Sequence, residues 1–210
     1  AVPEVDTVRQ ALAMTLVCAW GARLTWNWAR GWGGLDHEDW RYVDLQRKTG
    51  RWWWLVSFSG IHLFPTVMVY LGCLPLIIAL GTGTRPLGWL DAVAALVTAT
   101  GILLEATADQ QLRRFVQTNT DPQRFLTSGL WAYCRHPNYL GEILFWWGLF
   151  LFALAADPTA WWTAIGALSI TELFVFISIP MIDQRMVTRR PAYAKHMAQA
   201  YALIPLKRRS

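Results

Sequence analysis

The sequence predicts an all-α fold: a polytopic membrane helical bundle of about five transmembrane helices, carrying a cofactor-binding cap on its cytoplasmic face. Three observations carry this expectation. Hydrophobic residues make up 54% of the chain and charged residues only 16%, against roughly 45–50% and about 25% in soluble domains. Fourteen of the 210 residues are Trp, a residue favoured where a helix meets the headgroup layer. Five stretches approach the roughly 20 apolar residues that a bilayer core requires. Despite a net charge of +5, the low charge density excludes a disordered chain and a nucleic-acid partner.

The first stretch, Val8–Trp28, holds Arg9 and Arg23, which must snorkel or face a polar interior. Trp52–Leu80 is long and contains Pro65 and Pro75, predicting a tilted or kinked span. Trp89–Thr107, Tyr139–Ala156 and Trp161–Met181 complete the set. Basic residues alternate from loop to loop. Arg30, Arg41, Arg47, Lys48 and Arg51 follow the first span, and Arg113, Arg114, Arg124 and Arg135 the third. Arg185, Arg189, Arg190, Lys195, Lys207, Arg208 and Arg209 follow the fifth, whereas Gly81–Gly88 and Ala155–Ala160 hold only Arg85. The positive-inside rule then puts the N-terminus outside and the C-terminus in the cytoplasm. The polar segments Asn27–Arg51 and Asp109–Asn138, with the tail, form the cap. The chain reads as one domain over 1–210, either whole or lacking upstream helices. Its N-terminus shows no secretory signal, and Cys18, Cys73 and Cys134 read as buried packing thiols.

Candidate chemistry concentrates in Gly129–Gly148. Pro137 suits the first turn of a helix, making His136 or a neighbour the cap. Asn138 and Glu142 then share a face, with Tyr139 three residues before Glu142. Arg135 stands at the helix start, where exposed N–H groups favour an anion, and Gly141 permits close approach. An acid at membrane depth, such as Glu142, is costly and marks function. Upstream, Glu105, Asp109 and Arg113 recur every four residues, as a salt-bridge ladder or as a stripe facing nucleotide groups. Arg185, Tyr193 and His196 occupy the basic tail, which inner-leaflet attraction also explains. His62 and Glu172 are either proton carriers or interhelical hydrogen-bond partners. Asp36-His37-Glu38-Asp39 lacks a second ligand group at fixed spacing, so it reads as a solvated loop and no metal is expected.

The run Arg135-His136-Pro137-Asn138-Tyr139-x-Gly141-Glu142 resembles the C-terminal domain of the steroid 5-alpha-reductase superfamily, particularly its bacterial members of uncharacterised substrate. The closing Ala202-Leu203-Ile204-Pro205 resembles the end of those enzymes. A related RHPxYxG pattern occurs in isoprenylcysteine and phospholipid methyltransferases, which bind S-adenosylmethionine at a similar place. The resemblance implies a reductase-like membrane domain in a bacterial inner membrane. NADPH in its cytoplasmic half would reduce a carbon–carbon double bond of a hydrophobic enone or sterol-like substrate, with membrane lipid as the surrounding partner. It also implies that Asn138, Gly141 and Glu142 bind the cofactor, flanked by Arg135 and Tyr139. Asp109 and Arg113 would join them from the preceding helix, and Arg185, Tyr193 and His196 from the tail. Glu105 stands where the animal enzymes carry Asn. The catalytic Glu of the reductases has no counterpart, leaving His62 and Tyr70 as stand-ins for the acid. The alternative is an S-adenosylmethionine-dependent lipid or isoprenylcysteine-type methyltransferase, and a third reading is a non-catalytic module that binds anionic lipid.

Overall fold

A computed structural model describes residues 6–34 and 39–206. Asp36, His37, Glu38, Lys207, Arg208 and Arg209 lie outside the described residues. The protein is an integral membrane bundle of helices. In chain order these are α1 (Thr7–Gly31), α2 (Trp40–Thr82), α3 (Trp89–Thr118), α4 (Pro137–Ala156), α5 (Pro158–Arg189) and a short α6 (Tyr193–Gln199). α2 to α5 are each long and apolar enough to cross a membrane. α1 is a continuous helix of 25 residues whose three arginines, Arg9, Arg23 and Arg30, lower its apolarity. Asp6 caps it by accepting from the N–H groups of Val8 and Arg9, satisfying donors that no helical carbonyl reaches.

Arg9 and Arg23 of α1 turn inward. Arg9 is fully buried: its Nε and Nη2 donate to the two Asp91 oxygens at 2.6 and 2.9 Å, and Arg85 O and Pro86 O accept from it as well. A fork with this many partners retains its hydrogen bonds without water. Several helices extend beyond the apolar windows that announce them. α2 begins at Trp40 rather than Trp52, capped by Asp39, and α3 continues to Thr118. The polar cap is therefore built largely from helix extensions. Wide π-helical turns occupy Ser57–Leu63 and Leu173–Ser178, each ending two residues before a proline, Pro65 or Pro180. Proline lacks a donor and crowds the preceding turn, and a wider turn relieves that crowding. Cys18 is exposed, contrary to the expectation of three buried thiols, while Cys134 is buried.

The main core sits where α3, α4 and α5 meet, with partly buried residues of α1 and α2 packed against it. The Trp20 and Phe145 rings stack at 4.5 Å, and Trp146 meets Trp20 edge-on at 5.4 Å. What positions everything else is the closeness of α3 to α4. A Cβ on Gly141 would lie 2.7 Å from both Glu105 Cβ and Gly101 O, and one on Gly101 would lie 2.6 Å from Gly141 O. A Cβ on Gly148 would collide with Thr98. Lipid tails give no hydrophobic drive to helix pairing, so this backbone approach is what dispersion and packing can use. Gly141→Leu is expected to destabilise the bundle by about 1–3 kcal/mol or more through overpacking, several degrees of melting temperature for a chain of this size. Thermal unfolding of the purified protein measures this, and an unchanged midpoint contradicts the seam.

Candidate cofactor site in the basic cap

The end of the bundle where α3, α4 and α5 project is closed by the returning chain. Asp183 of α5, buried in the wall, gathers three groups. His136 Nε2 lies 2.9 Å from its Oδ1, Tyr193 O–H donates to the same oxygen at 3.1 Å, and Arg135 Nη1 lies 2.9 Å from Oδ2. Burial and the neighbouring Asp183 charge push the Tyr193 phenol well above the usual range, so it remains a donor. The backbone N–H groups of Arg135 and His136 donate to Tyr201 O and Ala202 O, both at 3.0 Å. The closing segment is thus pinned alongside the start of α4. Pro137 is the first residue of α4 and His136 its cap, as the sequence predicts.

Two hollows flank this latch. One, of about 270 Å3, is walled by Arg135, His136, Asn138, Tyr139, Tyr193 and His196, and by apolar residues including Phe125, Trp131 and Met186. The other, of about 350 Å3, is walled by Asp39, Trp40, Arg41, Arg185, Arg189 and Arg190. Tyr139, Ile182, Met186 and Arg190 line both. The Arg185 guanidinium carbon lies over the Trp40 ring, 3.6 Å from its centroid, a cation–π contact in which the guanidinium N–H groups can still meet an anion. Tyr139 stacks on the His136 ring at 5.4 Å and meets Phe174 at a tilt at 4.6 Å, and Phe174 belongs to the π-helical turn of α5. Two buried polar atoms of residues on the first hollow's wall, Arg135 Nε and Asn138 Oδ1, have no hydrogen-bond partner. A donor and an acceptor left open beside an aromatic slot and an arginine cluster fit a nucleotide with several phosphates.

Arg135, Asn138, Tyr139, Tyr193 and His196 come together on the first hollow, and Arg185 joins Tyr139 on the second. Asp109, Glu142 and Gly141 lie one layer beneath, in the bundle. Asn138 Nδ2 donates to Asp109 Oδ1 at 3.4 Å, so Asp109 steadies the wall from behind. Glu142 faces Trp20 and Trp146 rather than the hollow. Gly141 serves the α3–α4 contact. Arg113 donates to Arg30 O, and no ladder forms along α3, because Glu105 and Asp109 both pair with Arg23 of α1. The stand-ins for the acid are not brought to the site: His62 Nδ1 sits 2.9 Å from Ser57 O within its own helix, and Tyr70 is exposed. Glu172 lies on the exposed side of α5. Sequence reasoning missed Asp183, which carries no motif, and read Arg41, Arg189 and Arg190 only as part of an inward basic belt.

Fold and site together define a polytopic helical membrane protein with a basic, two-lobed hollow at one end. The chain belongs to the family described as "Protein of unknown function (DUF1295)", which it matches over residues 2–200 and which is a member of the steroid 5-alpha-reductase-like superfamily. It is 32% identical over 178 residues to the uncharacterized protein C594.04c of Schizosaccharomyces pombe, covering 74% of this chain and 52% of that one. The chain thus spans about half the length of this curated relative. No solved structure matches it.

His196 offers a test of the latch. Burial, then the Arg135 charge, lower its affinity for a proton, although the Asp183 carboxylate opposes this. The folded state therefore takes up the proton less readily than the unfolded chain. The neutral ring's contribution is present above the ordinary histidine value of about 6.5 and declines as pH falls below it. The protection of α6 amides, taken relative to their intrinsic exchange rates at each pH, is expected to fall as pH is lowered below about 6.5, and His196→Gln should remove most of that dependence. Equal pH dependence in the variant contradicts this role.

Proposed function

We propose that the protein is a membrane-embedded NADPH-dependent reductase of a carbon–carbon double bond in a hydrophobic enone or sterol-like substrate, of the bacterial branch of its superfamily. Its basic end faces the cytoplasm of a bacterial inner membrane, as the clustering of arginines favours. The observation that carries the reading is the two-lobed hollow, with arginines on both sides of Tyr139 and two unpartnered buried polar atoms at Arg135 and Asn138.

The residues fit the cofactor as follows. Arg41, Arg185 and Arg189 bind phosphate oxygens in one lobe. Arg135, aimed by Asp183, does so in the other. Asn138, held from behind by Asp109, offers its carbonyl oxygen to an amide or hydroxyl. Tyr139, held by ring contacts with His136 and Phe174, lines both lobes. When bound, NADPH supplies a hydride. The apolar residues of the first lobe exclude water from that transfer. A phosphate-free, sulfonium-bearing cofactor such as S-adenosylmethionine gains little from this arginine set, which weighs against the methyltransferase alternative.

Calorimetric titration of the full chain with NADPH and with S-adenosylmethionine tests the reading. NADPH is expected to bind with an affinity that falls steeply as salt is raised, since exposed charge attraction is screened. Arg185→Ala and Arg135→Ala should each weaken it about tenfold or more, the value of one charge-assisted hydrogen bond. Binding of S-adenosylmethionine alone overturns the proposal, and binding of neither cofactor, with anionic vesicles bound instead, favours a lipid-binding module.

A further inference from the structure

The second lobe gathers the guanidinium groups of Arg41, Arg185, Arg189 and Arg190, and among the described residues that line it stands a single carboxylate, Asp39. Asp39 Oδ1 accepts from Arg41 Nε at 3.0 Å, and Oδ2 from Nη2 at 2.7 Å. This is the two-point fork with which a guanidinium also holds a phosphate. Oδ1 accepts from the Arg41 backbone N–H as well, at 2.9 Å, and so caps the first turn of α2. The Arg41 hydrogen bonds hold the Asp39 carboxyl below its ordinary range although burial opposes them, so the group is an anion at neutral pH. Its side chain is 34% exposed and that of Arg41 45%, which leaves the fork open to exchange with an anion from solvent. Arg185 and Arg190 meet neutral groups instead, the Trp40 ring and Pro122 O.

We propose, resting on the NADPH reading, that the second lobe takes the 2′-phosphate, and that Asp39 is its internal stand-in, masking Arg41 until that phosphate displaces it. The apolar first lobe suits the nicotinamide end, and Arg135 stands beside it for the diphosphate. Tyr139, Ile182, Met186 and Arg190 line both lobes, so a nucleotide that continues past them brings its adenosine ribose into the arginine cluster. A phosphomonoester there carries close to two negative charges at pH 7, whereas Asp39 carries one. Arg185 and Arg189 favour the more highly charged group. A phosphate oxygen also replaces the carboxylate at the Arg41 N–H, because the start of a helix accepts any anion. The displaced carboxylate turns to water, which its exposure allows.

An acid beside an adenosine ribose ordinarily accepts from an unphosphorylated 2′-hydroxyl and so favours NADH. Here both Asp39 oxygens are already held by Arg41, and a hydroxyl finds a poorer acceptor. The mask instead sets a charge threshold. A ligand that brings a doubly charged phosphate opens the Arg41 fork, and one without it meets a fork already neutralised. Asp39 thus determines specificity without touching the bound phosphate.

Asp39→Asn separates the charge from the cap, since Asn caps a helix as well as Asp does. Calorimetric titration of the full chain with NADPH, NADH and adenosine 2′-monophosphate is the test. The variant is expected to bind NADPH and adenosine 2′-monophosphate about fivefold more tightly than the wild type, the upper value of an exposed ion pair. Its NADH affinity should stay within about 1.5-fold. Arg41→Ala should weaken NADPH binding less than about twofold in the wild type but about fivefold in the Asp39→Asn background, where Arg41 is unmasked. Equal or weaker NADPH binding by Asp39→Asn overturns the mask. Weaker NADH binding by the variant shows that Asp39 holds a 2′-hydroxyl, and NADH that tightens as much as NADPH removes the 2′-phosphate from this lobe; either result overturns the proposal. A wild type that does not bind NADPH overturns the NADPH reading, and adenosine 2′-monophosphate then decides by itself whether Asp39 masks a phosphate site.

Discussion

The contact on which the rest depends is the backbone approach of α3 to α4 at Gly101 and Gly141. Neither position has room for a Cβ, and the consequence reaches well beyond packing. It sets Glu105 against Glu142 and Asp109 against Asn138, and it leaves one side open for α1 to bring in Trp20, Arg23 and Asn27. In hydrocarbon each polar group must find its partner inside the protein. A wider seam would separate these groups by more than a hydrogen bond's length, and the acids would then have to be met by water or lost.

The two ends of the bundle solve the problem of buried charge differently. At one end Arg9 and Asp91 form a saturated pair, with the guanidinium satisfied by two carboxylate oxygens and two carbonyls. Such an arrangement has nothing left to offer a ligand, and it fastens α1 to the start of α3. At the other end the same ingredients are left unsaturated. Arg135 approaches Asp183 off the hydrogen-bonding line with Nε free, and Asn138 keeps an open oxygen. Unsatisfied buried polar atoms are rare in folded proteins and cost stability unless something completes them. Their confinement to the cap and the layer just beneath it, against the completeness of the opposite end, is the physical basis for placing function there.

Much of this was legible in the sequence, and the limits follow from what a linear pattern encodes. Apolar windows marked the spans, and Pro137 after His136 marked the start of α4, because both signals are local. The helices overrun those windows at Trp40 and Thr118, since a polar helix extension has no hydropathy signature. The four-residue spacing of Glu105 and Asp109 correctly put them on one face, but their partner, Arg23, lies in α1, far away in the chain. The direction of Glu142 was equally hidden: an acid one turn inside a helix can face the cap or the core, and only the positions of Trp20 and Trp146 decide. Asp183 organises Arg135, His136 and Tyr193 without belonging to any motif, so nothing short of the fold could single it out. His62 and Tyr70 were selected by residue type alone, and the fold keeps them away from the hollow.

The measurement that bears most directly on this account is a structure determined by electron microscopy with NADPH present in excess. Nucleotide density running through both lobes and passing Tyr139, with phosphates against Arg185 and Arg135 and a partner on Asn138 Oδ1, is the predicted result. Density on another surface, or both lobes filled by lipid while NADPH stays in solution, would contradict it.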